Sequence, residues 1–224
     1  MNKIMSASQA LASVKSGTSI MIGGFFFSGC PFSLIRELMS KAGELSGLTL
    51  ISNDACSQFQ RPEAIGNELF QTGMISRVIC SFLGHNDAAM KLAAEGKLEV
   101  DMMPMGTFAE RIRAGGAGLG GVLTPTGVGT PIAEGKRTIE LDGKTYLLET
   151  PLRADLALVY GTVVDEYGNA YLRGNSRNFN TVMATAADYV VIEAKSIVKG
   201  GDIDPDMVMI PAPYVDAIVK AGES

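Results

Sequence analysis

The segment from Gly23 to Gly29 is the first place where the chain could do chemistry. It follows an apolar run at Thr18–Ile22, and a helical pattern begins after Pro31. A strand, a glycine loop and a helix in this order bring several backbone N–H groups to a helix N-terminus, where phosphate or carboxylate groups bind. The spacing matches neither the dinucleotide nor the P-loop fingerprint, so a tight strand-to-helix turn explains these glycines equally well.

Amide side chains mark three further turns. Asn53, Asn86 and Asn178 each lie beside a predicted strand end, where parallel sheets collect their ligands. An amide can donate to a carbonyl oxygen and accept from a hydroxyl in the same site. Asparagine is also a common turn residue, so both interpretations stay open. His85, the sole histidine, would suit a general base, although a lone histidine on a turn is more often simply solvated.

A complete catalytic set does not emerge from these residues. Cys30 stands at the start of a predicted helix, which lowers the pKa of an exposed thiol, but no base lies near it in the sequence. One histidine and no evident carboxylate pair leave no Ser/His/Asp or Cys/His arrangement. The chain therefore resembles the binding half of an active site whose other half comes from elsewhere.

The elements that position these residues alternate between strand and helix. We predict strands at Thr18–Ile22, Leu48–Ser52, Ser76–Phe82 and Leu98–Met103, and helices at Phe32–Ala42, Pro62–Thr72, Asp87–Glu95 and Thr107–Arg113. This alternation is typical of parallel βαβ units and predicts an α/β fold. No charged linker or low-complexity tract interrupts the chain, so we expect residues 1–224 to form a single domain.

The remaining segments give weaker patterns. A helix is expected at Ser6–Ser16, and the glycine-rich stretch 115–135 is expected to be an ordered functional loop. Asp142-Gly143 between two apolar runs predicts a hairpin with a type I′ turn. In the last third we predict a helix at Phe179–Ala187, a strand at Tyr189–Ala194 and a helix at Tyr214–Lys220.

Composition excludes several functional classes. Nineteen basic against 24 acidic residues give a net charge of −5, which argues against nucleic-acid binding. The uncharged stretches Ser16–Ile35 and Ala114–Ala133 are interrupted too often by small polar residues for a lipid-facing helix, and the N-terminus lacks the order of a signal peptide. Three widely spaced cysteines predict neither a disulfide framework nor a metal site. We expect a cytoplasmic protein without a metal.

Five sequence blocks together resemble the alpha subunit of family I CoA-transferases. This group includes the acetate/acetoacetate, butyrate/acetoacetate and 3-oxoacid CoA-transferases. The blocks follow the family's order over essentially the whole chain, and they are Ile22–Phe25 with Gly29-x-Pro31, Leu48–Asp54, Gly106–Gly118, Leu123–Thr130 and Arg177–Ala187.

The resemblance implies a Rossmann-like α/β subunit with a mostly parallel sheet flanked by helices. It also implies that the partner is a homologous beta subunit, which carries the catalytic glutamate, in a heterotetramer or larger assembly. That glutamate attacks an acyl-CoA thioester in a ping-pong reaction, so coenzyme A is a substrate and no cofactor is permanently bound. This chain has no Ser-Glu-Asn-Gly segment, so no catalytic residue is expected in it.

The resemblance also implies which residues bind CoA or substrate. They are Gly23, Gly24, Phe25, Phe26, Phe27, Ser28, Gly29, Asn53, Gly84, Asn86 and Gly106. Asn53 is in addition a candidate contact for an oxyanion or the substrate. Relatives usually carry glutamine before the Gly-Thr of the third block, where this chain has Met105, and a thioether cannot donate a hydrogen bond. Either another donor replaces it or the acyl specificity differs.

Taken alone, the glycine loops are also compatible with two other functions. One is a non-catalytic module that senses a sugar phosphate or a nucleotide. The other is a phosphosugar isomerase, which would need its own acid/base pair.

Overall fold

The structure, a computed structural model, describes residues 3–26, 28–57 and 65–222. Its helices are α1 (Ala7–Ala10), α2 (Phe32–Ser40), α3 (Ile65–Gln71), α4 (Asp87–Ala94), α5 (Met105–Gly116) and α6 (Asn180–Met183). Its strands are β1 (Ser19–Ile22), β2 (Leu48–Ile51), β3 (Ile75–Cys80), β4 (Glu99–Met102), β5 (Val122–Thr124), β6 (Thr138–Leu141), β7 (Lys144–Glu149), β8 (Ala154–Asp165), β9 (Ala170–Tyr171), β10 (Ala187–Val198) and β11 (Ala217–Lys220).

One mostly parallel sheet organises the described residues. Its strand order is β11-β10-β8-β1-β2-β3-β4, and β9 pairs antiparallel with β8. The register places Ile20 of β1 opposite both Leu50 and Leu156. The predicted class, a mostly parallel sheet flanked by helices, is confirmed.

The two faces of the sheet are buried under different helices. Ile20 and Ile22 point into the core beneath α1 to α4, whereas Met21 between them points into the core beneath α5 and α6. Side chains alternate in this way along any strand, and burial on both faces is why parallel strands read as continuous apolar runs.

The topology creates a crevice beside β1. The chain adds β2, β3 and β4 on one side of β1, and later returns to add β8, β10 and β11 on the other side. The connection after β1 therefore leads to one side of the sheet and the connection after β8 leads to the other, which leaves a crevice between them. Open α/β sheets bind ligands outside the carboxyl ends of their strands at such a switch point. We call this side of the sheet the carboxyl edge.

The predicted C-terminal helix at Tyr214–Lys220 is wrong. Residues 217–220 form β11, which pairs in parallel with β10 through Ile192 and Ile218. The β-branched side chains of Ile218 and Val219 favour a strand when a neighbouring strand is available. Two predicted helices are also shorter than expected, since Ser6–Ser16 contains only α1 and Phe179–Ala187 contains only α6.

The glycine-rich stretch 115–135 is not one continuous loop, which corrects the expectation. Gly115 and Gly116 complete α5, and β5 pairs with β7 in a small antiparallel sheet of order β5-β7-β6. The hairpin between β6 and β7 is as predicted. Asp142 and Gly143 both have positive φ, 49° and 72°, as a type I′ turn requires.

The described part of the chain carries neither a membrane-spanning helix nor a metal-binding cluster. No helix there has the length and apolar character to cross a membrane. The described residues likewise contain no group of three or more His, Cys, Asp or Glu side chains arranged to hold a metal ion.

Close packing of α5 against the segment before β8 gives a test of this fold. A Cβ at Gly115 would overlap the Leu152 carbonyl oxygen, which is backbone and cannot move aside cheaply. We expect Gly115→Ala to lower the free energy of unfolding by about 1–3 kcal/mol, measured by urea denaturation. Gly106→Ala in the same helix is the matched control, because beyond the adjoining backbone of that helix no atom lies within 4 Å of its added Cβ. It should be neutral or slightly stabilising, and equal losses in both variants would contradict this packing.

Candidate active site

The loop between β1 and α2, described at residues 23–26 and 28–31, is folded tightly against the carboxyl edge, and we call it the glycine loop. The Gly23 N–H donates to the Leu158 carbonyl at 2.9 Å, which fixes the loop to β8. Phe25 and Ser28 exchange two backbone hydrogen bonds of 3.1 and 3.0 Å. Gly24 and Gly29 have φ of 121° and 68°, values that glycine adopts without strain.

Two asparagines hold the glycine loop from the opposite side. The Asn178 amide donates to the Ser28 carbonyl at 2.8 Å, and the Asn180 amide donates to the Gly29 carbonyl at 2.9 Å. The Asn180 side-chain oxygen also accepts from the Tyr160 N–H at 2.8 Å. A Cβ at Gly23 would overlap that oxygen, so glycine is required there. Sequence reasoning singled out Asn178 but missed Asn180, for which the Asn-Phe-Asn spacing was the only signal.

Asp54 fixes the tip of the glycine loop. Its side chain is 2% exposed, and its carboxylate accepts hydrogen bonds from the Phe26 N–H and from the Asn53 side chain. Phe26 has φ of 51°, a conformation that a bulky side chain rarely adopts. Burial raises the pKa of the Asp54 carboxyl from 3.8 to about 6, although these hydrogen bonds oppose the rise.

Asn53 and Asn86 are buried, and their amides are engaged by the protein. The Asn53 side-chain oxygen accepts from the Ser81 hydroxyl at 2.5 Å. Asn86 accepts from the Ala89 N–H at 2.9 Å as the N-cap of α4, and it donates to the Ala55 carbonyl at 3.0 Å. Both side chains thus shape the turns at the carboxyl edge. Direct contact of either with a ligand stays a prediction.

An aromatic cluster of Phe26, Phe82 and His85 covers this part of the carboxyl edge. The His85 ring centroid lies 5.1 Å from that of Phe82 and 6.1 Å from that of Phe26. The Phe82 side chain crosses Gly84, where a Cβ would lie 2.9 Å from the ring. Phe82 is 36% exposed, so the cluster presents an apolar wall to whatever approaches the edge.

Gly106 and Met105 lie at the same edge, in the first turn of α5 after β4. Met105 is 45% exposed, and the space above Gly106 is open. The structure thus brings the described predicted residues to one edge, between β1 and β4. Phe27 lies outside the described residues.

The nucleophile candidates in this region are unsuited to attack. Burial raises the pKa of the Cys30 thiol well above its ordinary value, and it raises the pKa of Cys56 to about 12. Both thiols are therefore protonated at neutral pH. The buried carboxyl groups of Asp54 and Glu193 accept backbone N–H groups at Phe26 and Leu34 and are committed to the fold.

Comparison with known proteins decides the family of this arrangement. The family model described as Coenzyme A transferase matches residues 4–221. The chain belongs to this family. The acetoacetyl-CoA:acetate/butyrate CoA transferase alpha subunit of Clostridium acetobutylicum is 43% identical over 206 residues, 92% of each chain. The alpha subunit of acetate CoA-transferase from Escherichia coli K12 is 41% identical over 222 residues, 99% of this chain and 98% of that one.

Solved structures show the same fold. An acyl-CoA transferase from Escherichia coli O157:H7, in a thioester complex with CoA, matches with a TM-score of 0.84 at 21% identity. The match covers 98% of this chain and 47% of that one, so this chain spans about half the length of that enzyme. Glutaconate coenzyme A-transferase from Acidaminococcus fermentans matches with a TM-score of 0.82 at 20% identity, over 97% of this chain and 75% of that one.

These findings confirm the predicted resemblance to alpha subunits of CoA-transferases and the prediction of a CoA-transferase enzyme. They do not favour the sugar-phosphate or nucleotide-sensing module, nor the phosphosugar isomerase. The roles of the individual site residues in this CoA-transferase chain are not settled by the family match and remain predictions.

The buried Asp54 carboxyl predicts a pH-dependent stability. A carboxyl group whose pKa is higher in the folded state than in the unfolded state binds its proton more tightly in the folded state. Its contribution to the free energy of unfolding is therefore lost as the pH rises. We expect the free energy of unfolding to fall, relative to Asp54→Asn, by about 2–3 kcal/mol as the pH rises from 4 to 7. Urea titrations of both proteins across this range measure the difference.

Asp155 is the matched control for that titration. Hydrogen bonds from the Ser19 hydroxyl and N–H lower the pKa of its carboxyl, so the comparison with Asp155→Asn should change in the opposite direction, over a range at or below pH 4. A difference between wild type and Asp54→Asn that is flat from pH 4 to 7, or that grows in favour of wild type, refutes the assigned state of Asp54.

Proposed function

We propose that this chain is the alpha subunit of a heteromeric CoA-transferase that moves CoA between short-chain carboxylates such as acetate, acetoacetate and butyrate. The observation that carries the proposal is its identity of 41–43%, over nearly the whole chain, to two alpha subunits named for these substrates. The 224 residues act in this proposal as one alpha-subunit domain.

The catalytic glutamate belongs in this proposal to a homologous beta subunit. Its carboxylate attacks the thioester carbonyl carbon, the C–S bond breaks, and CoA leaves as a thiolate while a mixed anhydride forms. The thiolate then attacks the glutamyl carbonyl, which releases the first acid as its carboxylate and leaves a glutamyl-CoA thioester. A second carboxylate reverses these steps, so the reaction needs no permanent cofactor. The commitment of Asp54 and Glu193 to backbone N–H groups supports a nucleophile from outside this chain.

The contribution of this chain is to shape the acyl side of the site. The aromatic cluster and the glycine loop form an apolar wall that suits a small acyl group and excludes water from the anhydride. Gly23, Gly24, Gly29, Gly84 and Gly106 let the backbone approach CoA or substrate closely, and the hydrogen bonds between Phe25 and Ser28 fix the loop that carries Phe26. Phe27 belongs to the same proposed set of contacts. Asn53 and Asn86 support the turns beneath.

The partners and the cellular compartment of the protein are part of the same proposal. The protein forms a heterotetramer with the beta subunit in this proposal and binds neither nucleic acid nor a membrane. The net charge of −5 supports the absence of nucleic-acid binding. A reducing, cytoplasmic compartment is supported by Cys30, Cys56 and Cys80, which are all free and buried.

Trapping the covalent intermediate tests the division of labour. The chain, co-purified with its beta subunit, is treated with acyl-CoA and then with borohydride, which reduces a glutamyl-CoA thioester to an alcohol. Mass spectrometry of both chains should find the modified glutamate on the beta subunit, and a sample without acyl-CoA should show none. Modification of a residue of this chain, or full turnover by this chain alone, would falsify the proposal.

Met105→Gln tests whether the start of α5 faces the acyl group. An amide at this position restores a hydrogen-bond donor that a 3-oxo acid can use and a simple acid cannot. We expect kcat/KM for acetoacetate relative to butyrate to rise at least about threefold, measured with the assembled enzyme. Met102→Gln, at the exposed end of β4, is the matched control and should leave the ratio unchanged. An unchanged ratio in Met105→Gln removes this position from the acyl site.

A further inference from the structure

Strands β1 and β8 part just before the glycine loop, and a backbone donor of β8 then needs a new acceptor. Among the described residues, the pairing of these strands ends at Ile22 and Leu158, and the Gly23 N–H donates to the Leu158 carbonyl at 2.9 Å. Backbone groups along a strand face its two neighbours alternately, so the Tyr160 N–H, two residues further, faces the same side. A donor covered by the fold must find a partner there.

The Asn180 amide supplies that partner. Its Oδ1 accepts from the Tyr160 N–H at 2.8 Å, and its Nδ2 donates to the carbonyls of Gly29 and Ser176, each at 2.9 Å. The side chain is fully buried, so water does not compete for these hydrogen bonds. One amide therefore joins β8, the glycine loop and the turn at residues 174–177, at the point where the two strands part.

The glycine loop packs closely around this amide. An added Cβ at Gly23 would overlap Oδ1 of Asn180, and one at Gly29 would lie 2.8 Å from its Nδ2. Asn180 is itself held in place as the first residue of α6, which packs against β1 and β8 and buries Met183 in the core beneath the sheet. The amide is thus a fixed spacer between β8 and the loop.

We propose that Asn180 is a positioning residue for the transferase reaction. It keeps the glycine loop apart from β8 and so determines where the apolar wall stands against the acyl group, a role that rests on the proposed function. Asn180 acts through the Gly29 carbonyl and through the loop that carries Phe26, in which Ser28 is hydrogen-bonded to Phe25. A displacement of about 1 Å near the reacting atoms can cost roughly a hundredfold in rate, so releasing the loop should slow molecules that remain folded.

The substitution Asn180→Asp makes this role visible in a pH profile. It keeps an oxygen that accepts from the Tyr160 N–H, but its second oxygen carries a hydrogen only when the carboxyl is protonated. The ionised form would face the carbonyl oxygens of Gly29 and Ser176 and repel them, and burial raises the pKa of such a group. Lowering the pH therefore restores the donor and should return the loop to its position.

Transfer of CoA from butyryl-CoA to acetate, by the enzyme assembled with its beta subunit, measures the effect from pH 9 to pH 6. We expect the kcat of Asn180→Asp relative to wild type to be at least about tenfold lower at pH 9 than at pH 6. Asn180→Ala has no donor at any pH, so its kcat should stay at least about tenfold below wild type throughout. Rates are expressed per folded enzyme, with the folded fraction measured by urea denaturation at each pH.

Asn169→Asp is the matched control, because Asn169 also holds a turn with both ends of its amide, between β8 and β9. Its Nδ2 donates to the Asp165 carboxylate at 2.9 Å, and its Oδ1 accepts from the Ala212 N–H at 2.9 Å. An ionised carboxylate beside Asp165 should lower the free energy of unfolding as the pH rises. The kcat of the folded control should nevertheless stay within about twofold of wild type at every pH.

Three results overturn the positioning role in an active enzyme. They are a relative kcat of Asn180→Asp without this pH dependence, a smaller loss in Asn180→Ala, and the same pH-dependent loss in Asn169→Asp. If Asn180→Asp does not fold at high pH, Asn180→Ser removes the donor to one carbonyl without adding charge. Its kcat should fall at least about threefold, and any smaller loss also overturns the role. A wild type without transferase activity refutes the proposed function, and this role with it.

Discussion

The glycine loop depends on hydrogen bonds that distant side chains donate to it and accept from it. A loop of this shape leaves backbone carbonyls and N–H groups without partners of their own, and buried backbone groups must find partners. Asn178 and Asn180 serve the carbonyls of Ser28 and Gly29, and Asp54 accepts the N–H of Phe26. Removing a partner in such a place costs the desolvation of the group left behind as well as the hydrogen bond. The loop is therefore held in one conformation before any ligand arrives.

This arrangement explains why many polar residues of the site are buried and hydrogen-bonded to the protein itself. Ser52, Asn53, Asp54 and Asn86 are each 2% exposed or less. These side chains stabilise turns in unfavourable backbone conformations, such as the left-handed conformations of Ala55 and Cys56. Because these polar side chains maintain the shape of the site, few polar groups remain to take part in a reaction. That agrees with a nucleophile carried by a partner chain.

Much of the fold was predictable because parallel strands buried on both faces appear as short apolar runs. The runs at Thr18–Ile22, Leu48–Ser52 and Ser76–Phe82 predicted β1, β2 and β3 to within about a residue at most ends. The segment Tyr214–Lys220 failed because four residues of β11 carry no period of their own, and only pairing with β10 decides their conformation. Asn180 was missed for a similar reason: its partner Gly29 lies 151 residues away. The chemistry of an amide is visible in a sequence, whereas its contacts are not.

The glycine loop separates two environments of opposite character. Phe26 at its tip belongs to the aromatic cluster, while Ser28 and Gly29, two and three residues later, line a cavity whose walls also carry Arg36, Arg173, Lys195 and Lys220. The first environment is mainly aromatic, and the second carries an excess of positively charged side chains. The described residues of the loop are held in place, because Phe25 and Ser28 are hydrogen-bonded to each other and Asn178 and Asn180 donate to the carbonyls of Ser28 and Gly29. The same hydrogen bonds therefore fix the positions of both environments relative to each other.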